Sequence, residues 1–69
     1  MKIKICNENG ADVIEWFRSY TEVNIIGHVE FGDIFDAELR YYMDTSGYYK
    51  IKYNNVYGYI YSGNAWVIE

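Results

Sequence analysis

Most of the chain alternates between apolar and polar residues, the period-two pattern of strands that bury one face. Lys2 to Cys6 alternates lysine with isoleucine, and Tyr48 to Tyr53 alternates a Tyr-Ile-Tyr face with a Tyr-Lys-Lys face. Val56 to Tyr61 alternates in the same way, and the preceding Asn54 and Asn55 predict a two-residue hairpin turn, since asparagine tolerates positive φ. Further strands are predicted over Asn24 to Glu30, Ile34 to Met43 and Ala65 to Ile68.

One segment departs from this alternation and has the spacing of a helix. Asp12 is followed three residues later by Glu15, which resembles a capping box. The apolar positions of one helix face follow at i, i+3, i+4 and i+7, namely Val13, Trp16, Phe17 and Tyr20. We therefore predict a helix of two turns over about residues 12–20, and the alternative is an irregular loop whose aromatic side chains pack onto a barrel. The predicted fold is mostly β, a small barrel of five or six short strands with one short N-terminal helix.

The composition limits how such a fold can be stabilised. The 69 residues make one domain, 1–69, and a chain of this length buries only about 60% of its unfolded surface. One cysteine cannot form an intrachain disulfide, and one cysteine with one histidine falls short of a zinc site. Nine tyrosines, three phenylalanines and two tryptophans are therefore expected to supply the buried area. We predict neither a metal nor a cofactor.

The charge balance narrows the class of partner. Ten acidic residues against six basic ones give a net charge of −4, which argues against direct nucleic-acid binding through phosphates. The sequence has no signal peptide and no apolar run of membrane-spanning length, and its single cysteine fits a reducing compartment. A cytoplasmic location with no membrane contact is predicted.

Four segments in the last two-thirds of the chain resemble the bacterial Src-homology-3 domain family. Ile25 to Asp33 reads IIGHVEFGD, and Gly47 to Asn55 reads GYYKIKYNN, like the family's glycine-tyrosine-lysine hairpin. Gly58 to Ser62 reads GYIYS, and Ala65 to Val67 lies where the family's closing strand does. The four occur in the family's order and near its spacing, which makes the combined signal fairly specific.

The resemblance implies an SH3-like barrel that binds ligands rather than catalysing a reaction. Many members are the wall-targeting ends of bacterial or phage peptidoglycan hydrolases, and others bind proteins or peptides. Carried over by position, the aromatic residues of the ligand groove are Tyr48, Tyr61 and Trp66. The N-terminal third departs from the family, whose members carry an arginine and a proline in a ligand-contacting loop there. Ala11 to Tyr20 has no proline and about two extra residues.

Residue patterns also indicate a contact surface. Tyr48, Tyr57, Tyr59 and Tyr61 share the outward side of their strands, and tyrosine is enriched at interfaces. The alternative is that these rings cover a thin core. A row of them is harder to explain as covering alone, since monomers seldom expose large apolar patches. Alternation can bury only one ring of the neighbouring pair Tyr41 and Tyr42, and Trp16 and Tyr20 complete the candidate aromatic surface.

Two acidic residues complete the candidate site. Asp36 and Glu38 lie two apart on one predicted strand face, an arrangement open to interpretation as a catalytic carboxylate pair. No second catalytic group accompanies them, and no nucleophile motif accompanies His28 or Cys6. We interpret the two carboxylates as solvated charges that face a partner, and predict that the protein is not an enzyme.

The combined prediction is a non-enzymatic module that binds a protein or peptide. The chain begins with methionine, carries no catalytic domain, and is acidic and tyrosine-rich. These features favour a phage or mobile-element inhibitor in the host bacterial cytoplasm that blocks a host protein, for instance at its nucleic-acid-binding surface. The alternative is a peptidoglycan-binding module of a lytic enzyme, located at the cell wall. A third interpretation is a homo-oligomer that associates through its tyrosine face.

Overall fold

A computed structural model of the chain describes residues 1–19, 22–43 and 46–69. Within those ranges the chain forms eight strands arranged in two antiparallel sheets, and a 3-10 turn, Ser62–Asn64, precedes the last strand. The strands are β1 (Lys2–Ile5), β2 (Ala11–Ile14), β3 (Ile25–Val29), β4 (Ile34–Asp36), β5 (Glu38–Tyr42), β6 (Ser46–Tyr53), β7 (Val56–Tyr61) and β8 (Ala65–Val67).

The three-stranded sheet has the order β4-β1-β8 and follows from the alternation of β1. Ile3 and Ile5 are fully buried, while Lys2 and Lys4 between them face outward. Ile3 lies opposite Phe35 of β4, so the central strand brings its apolar side chains to the middle of the sheet. The predicted strand over residues 2–6 is confirmed.

The five-stranded sheet has the order β3-β2-β7-β6-β5, and its centre is the predicted hairpin. Tyr53 and Val56 close β6 and β7, and the turn residues Asn54 and Asn55 have φ of 46° and 68°. Both values lie in the left-handed region that a type I′ turn requires, so the predicted turn is confirmed. The face of β6 that carries Tyr49 and Ile51 is buried against the core.

A bent segment connects the two sheets. The predicted single strand over residues 34–43 is divided at Ala37, whose N–H donates to the carbonyl of Met1 at 2.8 Å. Before the bend β4 pairs with β1, and after it β5 pairs with β6. The core lies between the two sheets and contains Ile3, Ile5, Ala11, Val13, Val29, Ala37, Tyr49, Ile51, Ile60 and Ala65.

The helix predicted over residues 12–20 is wrong. Ala11 and Val13 are buried and Asp12 between them is exposed, which is the period of a strand. β2 pairs with β3, and the Asp12 carboxylate binds the ring of His28 at 3.1 Å instead of capping a helix. Hydrogen bonds to a strand distant in sequence outweigh the local helical spacing.

The mostly-β prediction is confirmed, but its finer geometry differs. The described residues form eight strands where five or six were expected, and the strands make two sheets rather than one closed barrel. The extra strands come from the bend at Ala37 and from β2, which was taken for helix. No helix in the described ranges is long and apolar enough to cross a membrane.

Candidate binding surface

Aromatic side chains form one cluster on the outer face of the five-stranded sheet, the face turned away from the core. The aromatic cluster consists of Trp16, Phe17, Tyr42, Tyr48, Tyr59 and Tyr61. Residues 42, 48, 59 and 61 come from β5, β6 and β7, whereas the first two come from the segment that follows β2. The strands therefore present the tyrosine rings of the cluster, and the loop after β2 packs its two rings over them.

Trp16 is the centre of this packing. Its ring lies 4.5 Å from that of Tyr59 and makes edge contacts with Tyr42 and Tyr48 at 5.9 and 6.1 Å between centroids. Phe17 stacks on Tyr42 at 4.1 Å, with 21° between the ring planes. These separations are those of favourable aromatic pairs.

Backbone pairing holds the covering loop in place. The N–H of Glu15 donates to the carbonyl of Asn24 at 2.9 Å, and the Asn24 side-chain amide donates to the Glu15 carboxylate. Ile14 lies opposite Tyr59 and is buried, although it is not part of the core between the sheets. The alternative prediction is an irregular loop whose aromatic side chains pack onto a barrel. The loop is confirmed for Trp16 and Phe17, whose rings pack on a sheet rather than on a closed barrel. Tyr20 lies outside the described residues.

The predicted tyrosines share one face but differ in exposure. Tyr48 and Tyr61 form a cross-strand pair with centroids 5.7 Å apart, and Tyr59 lies on the same face of β7. Tyr48 and Tyr59 are half-buried, whereas Tyr61 is 51% exposed and Tyr57 58% exposed. Burial, reinforced by the neighbouring Tyr61, raises the pKa of Tyr48 above its ordinary value of 10.0. Some tyrosines thus cover the sheet while others remain free to contact a ligand.

A shallow depression of about 300 Å³ lies where β5 and β6 adjoin the bend. Lys50 and Lys52 of β6 hold their ammonium groups over the Tyr57 ring, 4.1 and 5.1 Å from its centroid. Asp36 and Glu38 also line this depression and are exposed. The prediction that they share one strand face is wrong, because Asp36 ends β4 and Glu38 begins β5.

A second depression, of about 430 Å³, lies beside Trp16. It is lined by Glu15, Trp16, Arg18, Glu22, Val23 and Asn24. The Arg18 guanidinium lies 4.0 Å from the Glu15 carboxylate. Trp16 therefore borders this depression and also contacts the Tyr48 and Tyr59 rings of the sheet.

Trp66 does not join the aromatic cluster. It lies in β8 opposite Lys4, on the outer face of the three-stranded sheet, and is 68% exposed. Among the described residues no ring contact connects it to the cluster. The position carried over from the family resemblance therefore places this tryptophan on a different surface from Tyr48 and Tyr61.

The sequence analysis missed four residues of this surface. Phe17 and Tyr42 belong to the aromatic cluster, and Lys50 and Lys52 lie beside it with their ammonium groups over the Tyr57 ring. The alternation of β6 already placed both lysines beside the outward tyrosines, so the signal was present. The choice between neighbouring rings in β5 is also explained, because Tyr42 is half-buried and Tyr41 is exposed.

Among the described residues no group of three or more histidine, cysteine or acidic side chains is placed to hold a metal ion. The aromatic cluster and the charged side chains beside it instead offer ring faces, ring edges, ammonium groups and carboxylates, groups that make non-covalent contacts. Searches against protein-family models, curated proteins and solved structures returned no significant match, so the resemblance to bacterial SH3 domains rests on the sequence segments alone.

Proposed function

We propose that this protein is a non-catalytic module that binds a peptide, or an exposed loop of another protein, across its aromatic cluster. The observation that carries the proposal is the series of ring contacts from Trp16 through Tyr48 to the exposed Tyr61. The exposed Tyr57 lies on the same face of β7 as Tyr61. Buried tyrosines alone would only add stability. Exposed rings set against a packed tryptophan present apolar area that binding would bury.

The packing of the cluster favours binding. The ring of Tyr48 is held on one side by Phe17, at 5.2 Å, and on another by Tyr61. Rings held by their neighbours lose little conformational entropy when a ligand binds, so more of the contact energy remains as affinity.

The charges around the cluster favour a peptide or loop over a broad basic surface. Glu15 and Glu22 border Trp16 at one end, and Lys50 and Lys52 lie beyond Tyr59 at the other. Arg18 offsets the charge of Glu15, so the net negative charge at the first end is that of one carboxylate. A chain lying across the aromatic cluster would meet this negative charge, then aromatic rings, then positive charge. An inhibitor that covers a host protein's nucleic-acid-binding surface is the wider form of this proposal and stays a prediction.

An SH3-like ligand surface is part of the proposal. The groove residues implied by the family resemblance, Tyr48 and Tyr61, are in ring contact, and the hairpin beneath them has the expected turn. Trp66 is not part of this groove. The separate position of that tryptophan supplies an internal control.

The test is a selection of random 12-residue peptides displayed on phage against the immobilised protein. Peptides recovered on the wild-type protein are expected to lose at least tenfold in affinity on Tyr61→Ala, about 1.4 kcal/mol, because an interface tyrosine is lost. Trp66→Ala should leave the affinity unchanged. Circular dichroism of both variants checks that they are folded.

Two outcomes would count against the proposal. The first is that selection recovers no peptide that prefers the wild type over a Tyr57→Ala/Tyr61→Ala double variant, and the second is that the selected peptides depend on Trp66 alone. The cell-wall alternative is separated by incubating the fluorescently labelled protein with purified Gram-positive cell walls, which only that alternative predicts to be decorated.

A further inference from the structure

We infer that Lys50, Lys52 and Tyr57, here called the lysine site, form a subsite for an oxyanion carried by the peptide partner. The group is a carboxylate or a phosphate. This inference rests on the proposed function, since it names the chemistry recognised at one end of the same surface.

The geometry concentrates two cations on one ring. Lys50 and Lys52 are two residues apart on β6 and extend from the same face, and Tyr57 lies directly opposite Lys52 on β7. Both ammonium nitrogens lie within about 5 Å of the Tyr57 centroid, the range of cation–π contact. An oxyanion placed beside that ring would meet both ammonium groups.

The two ammonium groups lack acidic partners in the described part of the chain. Glu38 lies opposite Lys50 in the sheet, yet its carboxylate binds the Arg40 guanidinium at 3.2 Å. No described carboxylate lies within 4.0 Å of either lysine nitrogen. Two like charges held close together repel each other, and a bound anion would relieve that repulsion.

The remaining charge of the depression indicates on which side the anion would lie. Asp36 and the N-terminal ammonium of Met1 border the same depression on the side of the three-stranded sheet, where Asp36 lies opposite Lys2. Opposite charges offset each other there, whereas the Tyr57 side has two ammonium groups, so an oxyanion is favoured on the Tyr57 side.

The lysine site is continuous with the aromatic cluster. Lys50 lies opposite Tyr59, whose ring contacts Trp16 at 4.5 Å. A peptide seated on these rings would need only a short extension to reach the two ammonium groups. The partner segment we infer thus carries an acidic or phosphorylated side chain next to the residues that contact the rings.

The chain contains a matched control for this inference. Lys2 and Lys4 are also two residues apart on one strand, and both are exposed on the outer face of the three-stranded sheet. Lys2 lies opposite Asp36, and Lys4 lies between Ile34 and Trp66. The variants Lys50→Gln/Lys52→Gln and Lys2→Gln/Lys4→Gln remove equal charge. A difference between them reports position rather than net charge.

The experiment is an NMR titration of the ¹⁵N-labelled full chain at one fixed ionic strength. The probes are inorganic phosphate, the peptide acetyl-Gly-Glu-Glu-Gly-amide and its neutral match acetyl-Gly-Gln-Gln-Gly-amide. Saturable shifts at the amides of residues 50, 52 and 57 are expected with the first two probes and not with the third. The Lys50→Gln/Lys52→Gln variant should weaken them at least fivefold, and the Lys2→Gln/Lys4→Gln variant should not. Tighter binding of phosphate or of the glutamate peptide identifies which oxyanion the site prefers.

Equal weakening in the two double variants, or an absence of saturable shifts at the lysine site, would overturn the inference. Failure of the proposed function is recognised separately. If peptides selected on the aromatic cluster bind the Lys50→Gln/Lys52→Gln variant as tightly as the wild type, peptide binding stands and the oxyanion subsite falls. If phosphate titrates the lysine site while no peptide is selected, the peptide-binding proposal falls, and with it the peptide part of this inference.

Discussion

The strands of the two sheets have the same alternating pattern, but the outer faces of the two sheets differ in exposure. On the three-stranded sheet Lys4 lies between Ile34 and Trp66, and all three side chains are exposed. On the five-stranded sheet the outward tyrosines are covered in part by Trp16 and Phe17. One face is bare, and the other carries a second layer of packing.

The difference shows how a short chain with a single cysteine can add to its buried apolar area. The segment that follows β2 places two large rings, Trp16 and Phe17, on the outer face of the five-stranded sheet. The apolar area buried there adds to the core between the sheets. The same layer leaves the edges of Tyr61 and Tyr57 open, so the face that gains stability is also the one suited to binding.

The largest expected effect is the difference in stability between two single variants, each of which truncates the tryptophan on one of the two outer faces. Trp16→Ala should lower the free energy of unfolding by about 2 to 3 kcal/mol, somewhat below the cost for a fully buried tryptophan, because Trp16 is half-buried and contacts four rings. Trp66→Ala should change it by less than about 0.5 kcal/mol, as for other exposed positions. Urea denaturation followed by circular dichroism measures both.

The control for this comparison is Trp16→Phe, which keeps an aromatic ring over Tyr59 and should recover part of the loss. Equal destabilisation by the two alanine variants would mean that the loop does not form a second packing layer. For a domain of this size, 2 kcal/mol corresponds to a shift in melting temperature of roughly 10 °C, so the two results are easily told apart.

Much of the sheet structure could be predicted because period-two alternation is a local property. The Ile3 and Ile5 positions, the β6–β7 hairpin and its Asn54-Asn55 turn all follow from neighbouring residues. The shared outward face of the tyrosines follows from the same rule, since the side-chain direction of a strand depends only on its parity.

What could not be predicted depends on contacts between residues distant in sequence. Alternation gives a face but not a sheet, so nothing local shows that Trp66 belongs to a different surface from Tyr48. The spacing of Val13 and Trp16 fits a helix equally well, and only pairing with β3 decides for a strand. Pairing of strands far apart in the chain is fixed by tertiary contacts that local patterns do not record.

The second prediction tests the cover over the tyrosines by their ionisation. Burial holds the pKa of Tyr48 above 10.0, so its neutral phenol is favoured in the fold. Its contribution to stability is present in full below pH 10 and is lost as the pH rises through the raised pKa. An alkaline absorbance titration of the wild type should therefore contain a tyrosine that ionises above pH 10 and is missing in Tyr48→Phe.

The matched variant for that titration is Trp16→Ala, which removes part of the cover and should lower the pKa of Tyr48. The stability advantage of the wild type over Tyr48→Phe should shrink as the pH rises above 10 and through the raised pKa of Tyr48. Tyrosine ionisation that is the same in the wild type and in Trp16→Ala would contradict the covering role of the loop.

The smallest expected effect lies at the far end of the covered sheet, where the outer face is polar. His28 Nδ1 lies 3.1 Å from the Asp12 carboxylate, and Nε2 lies 3.0 Å from the carbonyl of Asn9. Both partners are acceptors, so only the protonated ring can donate at both nitrogens. The hydrogen bond to Asp12 raises the pKa of His28 above 6.5 against the opposing effect of desolvation, and the Asn9 carbonyl and nearby Glu30 add to the rise.

The sign of the pH dependence follows from that raised pKa. The contribution of His28 is present in full below pH 6.5 and is lost as the pH rises through the folded pKa, and it is small because the ring is exposed. The chain has one histidine, so a single Cε1 proton resonance reports its titration. Asp12→Asn should lower the titration midpoint, since the amide replaces the carboxylate. A midpoint at or below 6.5 in the wild type, or one that Asp12→Asn leaves unchanged, would show that the two acceptors do not hold a protonated ring.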